Sequence, residues 1–241
     1  KAYEIPEGKR QAKGTNIVNL LNLGQKESIT AVIPIDEYNP ESNLIFVTKK
    51  GKIKKTKMEQ FSNIRKSGII AINLQENDEL IQVRETDGTK ELILVTSRGI
   101  AIRFNEDDVR EMGRNATGVK AITLADNDEI VSMDIVEEGK QLLVVSKYGY
   151  GKRTNLSEYR IQSRGGKGLK TYNIKDKTGL LVSAKVVDKE DEIIMISKSG
   201  TIIRLNVEDI SVTGRSAQGV KLMKIEDDDR IMAVAKYVDR D

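Results

Sequence analysis

An arginine recurs three or four residues before a glycine in five short polar segments. The segments read KRQAKG, IRKSG, GRNATG, QSRGGKG and GRSAQG, and Arg stands four residues before the final glycine in four of them. From Gly68 onward these glycines are 50, 50 and 51 residues apart. Because guanidinium groups form paired hydrogen bonds with phosphate oxygens, this register predicts contacts with several phosphates of a polyanion. Its basic residues are Arg10, Lys13, Arg65, Lys66, Arg114, Arg164, Lys167 and Arg215.

A second set of bases follows a different glycine. An apolar run and then Thr/Ser-x-x-Gly occur in LIFVTKKGKIKK, LILVTSRGIAIR, LLVVSKYGYGKR and IIMISKSGTIIR, and each segment has a base four residues after its glycine. We expect these bases to form a second arc of positive charge at the edge of the fold, where they would neutralise phosphates. They are Lys55, Arg103, Arg153 and Arg204, with Lys152 beside Arg153.

The elements that position these bases repeat with a period of about fifty residues. The hairpin glycines are 48, 50 and 51 residues apart, which indicates a repeat array or a propeller. In the second full repeat the first strand is a continuous apolar run, as is typical of burial on both faces, and a tight hairpin follows it. The glycines are Gly51, Gly99, Gly149 and Gly200, and the four strands predicted in that repeat are Leu92–Thr96, Ile100–Phe104, Val119–Leu124 and Ile130–Val136.

We interpret residues 1–241 as one all-β domain with a partial first repeat and four complete ones. Four-stranded units of this length predict a propeller-like disc of antiparallel blades. In the partial repeat, Gly14 stands where Gly68 and Gly118 stand, and strands IVNLLNL and ITAVIPI are predicted after it. Asp and Asn clusters such as LQENDEL and LADNDEI predict turns between later strands. The approximate repeats are 1–42 (partial), 43–90, 91–140, 141–191 and 192–238.

The amino-acid composition excludes several classes of functional site. The chain has 40 Lys and Arg against 37 Asp and Glu, so a polyanion site depends on how charge is segregated rather than on the net charge of +3. The lack of Cys and His excludes disulfides, thiol chemistry and His-bound metals. We find no convergent acid, base, nucleophile or metal cluster, and we predict no metal site, no cofactor and no catalysis by this chain. Apolar runs of at most six residues are too short for a membrane span, which favours a cytoplasmic protein.

Simpler interpretations of the same residues stay open. Each loop glycine has a structural explanation in a turn with positive φ, and a base at a strand end also protects a sheet edge. Repetition in register favours phosphate contact, as does the segment from Gly165 to Gly168, whose backbone N–H groups and cations could meet at one anion. With only 4% aromatic residues, base stacking on single strands is disfavoured. A propeller that binds only proteins is the alternative from another class, and it predicts salt-insensitive binding.

The segment QSRGGKG resembles the heptapeptide box of the bacterial DNA gyrase A subunit, usually Gln-Arg-Arg-Gly-Gly-Lys-Gly. The segments GYGKRTNLSEYRIQSRGGKGLKT, KAYEIPEGKRQAKGTNIVNLL and EDISVTGRSAQGVKLM are also similar to that subunit's C-terminal domain, so the resemblance covers essentially the whole chain. It implies a β-pinwheel, a six-bladed disc of four-stranded antiparallel blades with a connectivity different from that of a propeller. It also implies a module that wraps duplex DNA around a basic perimeter and so lets gyrase introduce negative supercoils.

The resemblance carries further expectations. The partners would be double-stranded DNA, the rest of the gyrase A subunit and the gyrase B subunit. The location would be the bacterial cytoplasm, at the nucleoid. The cleavage Tyr and the ATP site of this type II topoisomerase would lie outside the chain, so the fragment alone would be no enzyme. The box maps onto Gln162, Ser163, Arg164, Gly165, Gly166, Lys167 and Gly168, where Ser163 replaces the usual Arg and removes one cation.

The position of the box departs from the family. The family has it in the first blade, whereas here it lies in the penultimate repeat, and KAYEIPE resembles the end of a first blade. We therefore expect about five of the six blades. The homologous C-terminal domain of the A subunit of topoisomerase IV, which senses DNA geometry and serves decatenation, is the nearest alternative. It typically has a degraded box and fewer blades, so the retained GGKG favours gyrase.

Overall fold

The computed structural model describes residues 5–9, 11–16, 19–21, 23, 27–35, 38–65 and 68–237, and fifteen strands lie within them. Arg10 and Lys66, both predicted to contact phosphate, lie outside the described residues. The strands are β1 Asn43–Thr48, β2 Lys52–Lys57, β3 Leu80–Thr86, β4 Glu91–Thr96, β5 Ile100–Asn105, β6 Val119–Lys120, β7 Ile130–Ile135, β8 Gln141–Ser146, β9 Tyr150–Asn155, β10 Leu169–Lys170, β11 Leu181–Val187, β12 Glu192–Ser197, β13 Ile202–Asn206, β14 Val220–Lys221 and β15 Ile231–Tyr237. Short 3-10 helices span Met58–Phe61, Glu106–Asp108, Leu156–Glu158 and Val207–Asp209.

The strands form four antiparallel sheets, which we call blades 1 to 4. Their orders are β3-β1-β2-β6, β7-β4-β5-β10, β11-β8-β9-β14 and β15-β12-β13. The first strand in each order is the innermost, because β3 contacts β7, β7 contacts β11 and β11 contacts β15 at the centre. The all-β propeller expected from the repeats is thereby confirmed. The predicted strand ITAVIPI (residues 29–35) is not formed, since these described residues hold no strand, and the predicted strand IVNLLNL (residues 17–23) lies partly outside the described residues.

The outermost strand of each four-stranded blade comes from the next repeat. The sequence predicts Val119–Leu124 as a strand within its own repeat, but only Val119–Lys120 is a strand, and it pairs with β2 of the preceding repeat. Strands β10 and β14 pair in the same way with β5 and β9. The prediction was wrong about the partner because alternation of side chains shows which face of a strand is buried, not which strand lies beside it.

Glycine is required where the exchanged strand begins. Gly118 has φ +96°, and a Cβ there would lie 2.5 Å from the main-chain oxygen of Ile53 in the preceding repeat. Gly168 has φ +73°, and its Cβ would lie 2.7 Å from the oxygen of Ala101. Only a residue without a side chain permits this approach of two backbones. These glycines of the basic segments are therefore structural elements of the joint between repeats.

The hydrophobic core lies in the seams, by which we mean the contacts between successive blades. Leu92 and Leu94 of β4 pack in one cluster with Ile45 of β1. Ile93 and Val95 of the same strand face the opposite seam and pack with Leu142 and its neighbours. Burial in two different seams explains why the first strand of each repeat is apolar throughout, as the sequence predicts.

The acidic turns bind the hairpins of their own blades. Asp78 Oδ2 accepts a hydrogen bond from Thr48 Oγ1 at 2.7 Å, and Asp128 Oδ1 accepts one from Ser97 Oγ at 2.9 Å. Asn77 and Asn127, just before these carboxylates, have φ of 58° and 57°, which Asn adopts in turns. The predicted turns are thus confirmed, and their carboxylates serve hydrogen bonds within the fold. None of the helices in the described part of the chain has the length and apolar character needed to cross a bilayer.

Candidate nucleic-acid interface

The basic segments form loops at the outer edge of the propeller, and each loop lies on the preceding repeat. We call residues 113–118, 162–168 and 214–219 the rim loops, and we call these loops together with β6, β10 and β14 the rim. Ser163 O, Gly113 O and Gly214 O each accept a hydrogen bond from the N–H three residues later, which closes a turn. The rim loops therefore have one shared backbone geometry at equivalent places on blades 1 to 3.

Arg164 joins its rim loop to the preceding repeat. Its backbone N–H donates to Asp108 Oδ2 at 3.1 Å, and its Nε donates to the main-chain oxygen of Asp108 at 2.9 Å. Nη1 donates to the main-chain oxygen of Lys120 on the outermost strand. The guanidinium is thus held at the seam in a fixed orientation, half-buried beside the rim.

Arg114 and Arg215 occupy the equivalent positions. The N–H of Arg114 donates to Gln60 Oε1 at 3.1 Å, and Nη1 donates to Ile70 O at 3.1 Å. The N–H of Arg215 donates to Glu158 Oε2 at 3.3 Å, and Nη1 donates to Lys170 O at 3.4 Å. The register seen in the sequence is thus a register in space, with three guanidinium groups placed alike on successive blades. Arg65 and Lys13 are exposed in their own segments.

The Gly-Gly-Lys-Gly segment presents a lysine rather than free backbone donors. Gly165 N donates to Ala121 O at 2.8 Å, and Gly166 N is directed to Ser163 O at 3.4 Å, so these N–H groups are used within the fold. Gly166 O accepts from Thr123 N at 2.9 Å. The expectation that this backbone offers N–H groups to an anion is therefore wrong for these two glycines, whose turn leaves Lys167 exposed.

Gln162 lies at the start of the same loop. Its N–H donates to Arg103 O at 2.8 Å, which continues the docking onto the preceding repeat. Its side-chain Nε2 is buried and has no hydrogen-bond partner within the described structure. The side chain is thus half-buried with its amide nitrogen turned away from solvent, whereas the family resemblance led us to expect a DNA contact.

The second register of bases does not form the exposed arc that the sequence predicts. Arg153 is 5% exposed, and its Nε and Nη2 donate to Ile210 O at 2.7 Å and Glu208 O at 3.0 Å. Lys55 is 6% exposed, and its Nζ donates to Glu106 O at 3.1 Å. These carbonyls belong to the 3-10 helices of the next repeat or border them, where helix geometry leaves carbonyl oxygens without partners.

Arg103 follows the same pattern, whereas Arg204 differs from it. Arg103 Nη1 donates to Leu156 O at 2.9 Å, and its Nε donates to Glu91 Oε2 at 2.6 Å. Arg204 stays more exposed and pairs with Glu192, and its guanidinium lies 3.8 Å from the centroid of the Tyr237 ring. Lys55, Arg103 and Arg153 therefore join neighbouring repeats, because in their repeats the fourth residue after the hairpin glycine faces the seam. The contacts of Arg204 with Glu192 and Tyr237 lie within its own blade.

Lys152 is fully buried, although the sequence predicts it at the phosphate-binding edge. Its Nζ donates to Gly214 O at 2.6 Å and to Arg215 O at 2.8 Å, both in a rim loop. Burial is the main reason why the pKa of Lys152 is lowered to about 8. This lysine contacts the rim loop from beneath and does not reach its outer surface.

A third register of exposed cations was missed in the sequence. Lys120, Lys170 and Lys221 each stand two residues after a rim-loop glycine and lie on the outermost strands β6, β10 and β14. Lys120 is the cross-strand partner of Lys52, which brings two lysines together on the outer edge of blade 1. The repeated Gly-Val/Leu-Lys was a visible signal. Its meaning depends on knowing that these residues form the outermost strand.

The rim therefore combines guanidinium groups held by the fold with exposed ammonium groups at regular intervals. Lys170 Nζ lies 3.1 Å from Asn173 Oδ1, and Lys221 Nζ lies 4.6 Å from the Tyr150 ring centroid. Such contacts orient the side chains at the surface without neutralising them. The arrangement suits a long polyanion with phosphates at regular spacing better than it suits a single small anion.

Family membership follows from the sequence profile of the "DNA gyrase C-terminal domain, beta-propeller". It matches residues 1–36, 42–87, 90–137, 140–188 and 191–236. The chain belongs to this family. Five separate matches agree with the expected all-β propeller of about five units in a gyrase C-terminal domain.

Relatives that carry the name of the DNA gyrase A subunit are similar over nearly the whole chain. The protein of Halalkalibacterium halodurans is 59% identical over 236 residues, and that of Clostridium acetobutylicum is 54% identical over 236 residues. The protein of Escherichia coli K12 is 40% identical over 239 residues. These matches cover 98% to 99% of this chain but only 27% to 28% of the relatives, so the chain corresponds to a C-terminal part of such proteins.

Two solved structures share the fold of this gyrase C-terminal domain. The C-terminal domain of DNA topoisomerase IV superposes with a TM-score of 0.90 at 29% identity, over 97% of this chain and 73% of that one. A DNA gyrase A C-terminal domain superposes with a TM-score of 0.86 at 31% identity, over 95% of this chain and 76% of that one. Backbone similarity thus extends to a topoisomerase IV domain as well as to a gyrase A domain, whereas the sequence relatives above all carry the gyrase name.

Proposed function

We propose that this chain binds duplex DNA without base specificity, bends it around the rim and thereby enables gyrase to introduce negative supercoils. The observation that carries the proposal is the repeated placement of exposed lysines on the outermost strands beside the rim-loop arginines, in a chain of the gyrase C-terminal family. The proposed contacts are Lys120, Lys170, Lys221, Lys167, Arg114, Arg164 and Arg215, with Arg65 and Lys13 on the preceding units.

The energetics support bending by backbone contacts alone. DNA has a persistence length of about 150 bp, and smooth bends of 40–90° over a short site cost on the order of 1–6 kcal/mol. Each phosphate neutralised by Lys or Arg releases condensed counterions, and several such contacts offset the cost of bending. A convex rim with cations once per blade distributes these contacts along a curved path, as repeated arginines do in the nucleosome.

We also propose partners and a cellular location for this chain. The partners are double-stranded DNA, the remainder of the gyrase A subunit and the gyrase B subunit. The location is the bacterial cytoplasm, at the nucleoid. Strand cleavage and ATP hydrolysis belong to other parts of that enzyme, and this chain contributes DNA geometry. We further propose that residues 1–241 act as one wrapping domain with unit boundaries near residues 42, 90, 140 and 191.

The test is binding of this chain to a linear duplex of about 30 bp, roughly 100 Å long at about 3.4 Å per base pair and well below the DNA persistence length, with a donor and an acceptor fluorophore at its ends. We expect affinity that falls steeply with salt and an increase in energy transfer on binding, because the duplex ends approach each other. Salt-steep binding without a change in energy transfer would contradict bending. Salt-insensitive binding, or none at low salt, would contradict the DNA interface and favour a propeller that binds proteins.

A charge-reversal pair sharpens the test. Lys120→Glu, Lys170→Glu and Lys221→Glu together should abolish bending at moderate salt, because all three exposed rim lysines become repulsive. The matched control reverses three exposed lysines that belong neither to the rim loops nor to the outermost strands, Lys175, Lys189 and Lys198, and carries the same net charge. Equal losses in both variants would show that total charge matters and that the rim does not.

The similarity to the topoisomerase IV domain, with its TM-score of 0.90, supports a second candidate function. In that case the chain would sense the geometry of DNA crossings for decatenation. Fusing the chain to a gyrase core that lacks its own C-terminal domain distinguishes the two. Restored negative supercoiling supports the gyrase function, whereas relaxation and decatenation without supercoiling support the topoisomerase IV function.

A further inference from the structure

Lys54 is a buried ammonium group directly beneath a rim loop. It is fully buried on β2, and its Nζ donates to Arg114 O at 2.6 Å and to Gly113 O at 3.4 Å. A further bond reaches Ala71 O, and the Phe46 ring lies 4.9 Å away. Since a buried ammonium group is costly unless its N–H bonds are satisfied, the ring of carbonyls is a built environment for this side chain.

Lys152 occupies the same place two blades later. Its Nζ contacts Gly214 O and Arg215 O at 2.6 and 2.8 Å, and Thr154 Oγ1 at 3.2 Å. In both cases the ammonium group holds the carbonyl of the rim-loop arginine and that of the residue before it. The donor and the loop it holds belong to successive repeats, so the contact also crosses the seam.

The intervening blade has no lysine at this position. Ile102 stands there on β5, with its Cδ1 3.6 Å from the place where a Cβ on Gly166 would lie. Its rim loop is the one with Lys167, where the other two loops have Thr117 and Gln218. Each of the three described rim loops therefore has one ammonium group at this place. It lies beneath the loop for Lys54 and Lys152, and on the outer surface for Lys167.

We propose that Lys54 and Lys152 are positioning residues that hold the rim-loop carbonyls inward and so direct Arg114 and Arg215 toward the bound phosphate. The proposal rests on the DNA interface proposed above. Carbonyls bound from beneath face away from the duplex, which leaves the guanidinium groups at the surface that DNA approaches. In the described part of the chain, the rim loop 162–168 has no lysine beneath it, and its second cation is the exposed side chain of Lys167.

The ionisation of both lysines agrees with this role. Burial, and secondly the charge of Arg114, lowers the pKa of Lys54 to about 8. Burial lowers the pKa of Lys152 to about 8, although Glu158 raises it and Arg215 lowers it further. These are the charged groups that face the two lysines. A phosphate placed at the rim would favour the protonated form of each lysine.

A double-mutant cycle on the whole chain tests the proposal. Lys152→Met and Arg215→Ala should each lower duplex affinity by about tenfold at low salt, because one charge-assisted contact is lost. The double variant should bind no worse than Arg215→Ala, since Lys152 acts through that arginine. Multiplied losses in the double variant, or unchanged affinity for Lys152→Met, would overturn the positioning role. Ile102→Met is the control at the position without a lysine, and it should match the parent.

The outcomes keep the two proposals apart. If Arg215→Ala binds duplex like the parent, the DNA contact at this loop is wrong, and the positioning role is overturned with it. If Lys152→Met fails to fold, the test is made on the parent protein, by NMR titration of its 15N-labelled lysine side chains with and without duplex. Addition of duplex should raise the titration midpoint of Lys152 Nζ, and an unchanged midpoint under saturating duplex would overturn the proposal.

Discussion

Arg164 Nε lies 2.9 Å from the main-chain oxygen of Asp108, so the arginine of one repeat is bonded to the 3-10 helix of the repeat before it. The Asp108 carboxylate completes the contact by accepting the backbone N–H of Arg164 at 3.1 Å. A side chain that contacts phosphate in our proposal is thus also part of the joint between blades. Its orientation is set before DNA arrives, which lowers the entropic cost of binding.

The two roles of the box residues can be separated by mutation. Lys167→Ala should lower the salt slope of duplex binding by about 0.9, one phosphate contact, and leave the melting temperature unchanged because Lys167 is exposed. Arg164→Ala should lower both the slope and the melting temperature, because the side-chain bonds to Asp108 O and Lys120 O are lost while the backbone bond to the Asp108 carboxylate stays. Salt titrations and thermal unfolding of both variants measure this. Equal melting temperatures for the two variants would contradict a stabilising role of the Arg164 side chain in the contact between blades.

The lysines of the outermost strands should dominate the salt dependence. Replacing Lys120, Lys170 and Lys221 by Gln should reduce the salt slope by about 2.7, since three phosphate contacts are lost. These side chains are exposed, so the free energy of unfolding should change by less than about 0.5 kcal/mol per site. The measurement is binding across a salt series beside chemical denaturation. An unchanged slope in a folded triple variant would remove these strands from the interface.

Arg153 should matter for stability and not for DNA binding. Arg153→Met leaves Ile210 O, Glu208 O and Gln141 Oε1 without the donors they now have. We expect a loss of about 2–3 kcal/mol in the free energy of unfolding, because buried acceptors lose charge-assisted bonds. The salt slope of the folded fraction should equal that of the parent. A reduced slope at parental stability would restore Arg153 as a phosphate contact.

The two buried lysines should make stability depend on pH. Their folded pKa of about 8 lies below the ordinary value of 10.5, so between these values the unfolded chain binds more protons than the folded one. Stability due to these groups therefore rises with pH across that window and is lowest below about pH 8. Relative to Lys54→Met/Lys152→Met, the parent should gain on the order of 1 kcal/mol between pH 7.5 and 10. Denaturant unfolding at both pH values checks this, and a constant difference would contradict burial of the two charges.

Glycine at the strand exchange should be irreplaceable. Gly118→Ala places a Cβ 2.5 Å from Ile53 O at φ +96°, and we expect a loss of about 2 kcal/mol or more. Gly139→Ala is the matched control, because Gly139 has φ +80° but no atom within 4 Å of its Cβ position. It should lose only about 1 kcal/mol. Similar losses in both variants would show that φ alone, and not the close approach to Ile53, requires glycine at position 118.

Local patterns in the sequence predicted much of this fold. The apolar run of β4 predicted burial on both faces, and its residues do face two different seams. The acidic turns were predicted correctly because Asn and Asp at fixed offsets favour such turns through their own side chains. The rim-loop register was visible because arginine and glycine recur at a constant spacing, which a repeat fold converts into equivalent positions in space.

The errors concern contacts between repeats. Whether Arg153 faces solvent or the carbonyls near the next 3-10 helix depends on how the next repeat docks, and no local pattern encodes that. The same reason hid Lys120, whose exposure follows from the pairing of Val119 with Ile53 in the preceding repeat. A spacing of about fifty residues shows equivalence between positions. It does not show which of two neighbouring blades receives a given strand.

The exchange of outer strands has a consequence for how such proteins change in length. Donor strand and acceptor hairpin are separated by one repeat, as Val119 and Ile53 are. If one whole repeat of about fifty residues is deleted from the sequence, the donor strand of the following repeat pairs with the equivalent acceptor hairpin of the repeat before the deletion. Every remaining hairpin inside the array then keeps a partner strand. A deletion of half a period would leave a hairpin uncovered and a short strand without its acceptor. Gene rearrangements that survive selection should therefore add or remove complete units, and the circumference offered to DNA would change in steps of one blade.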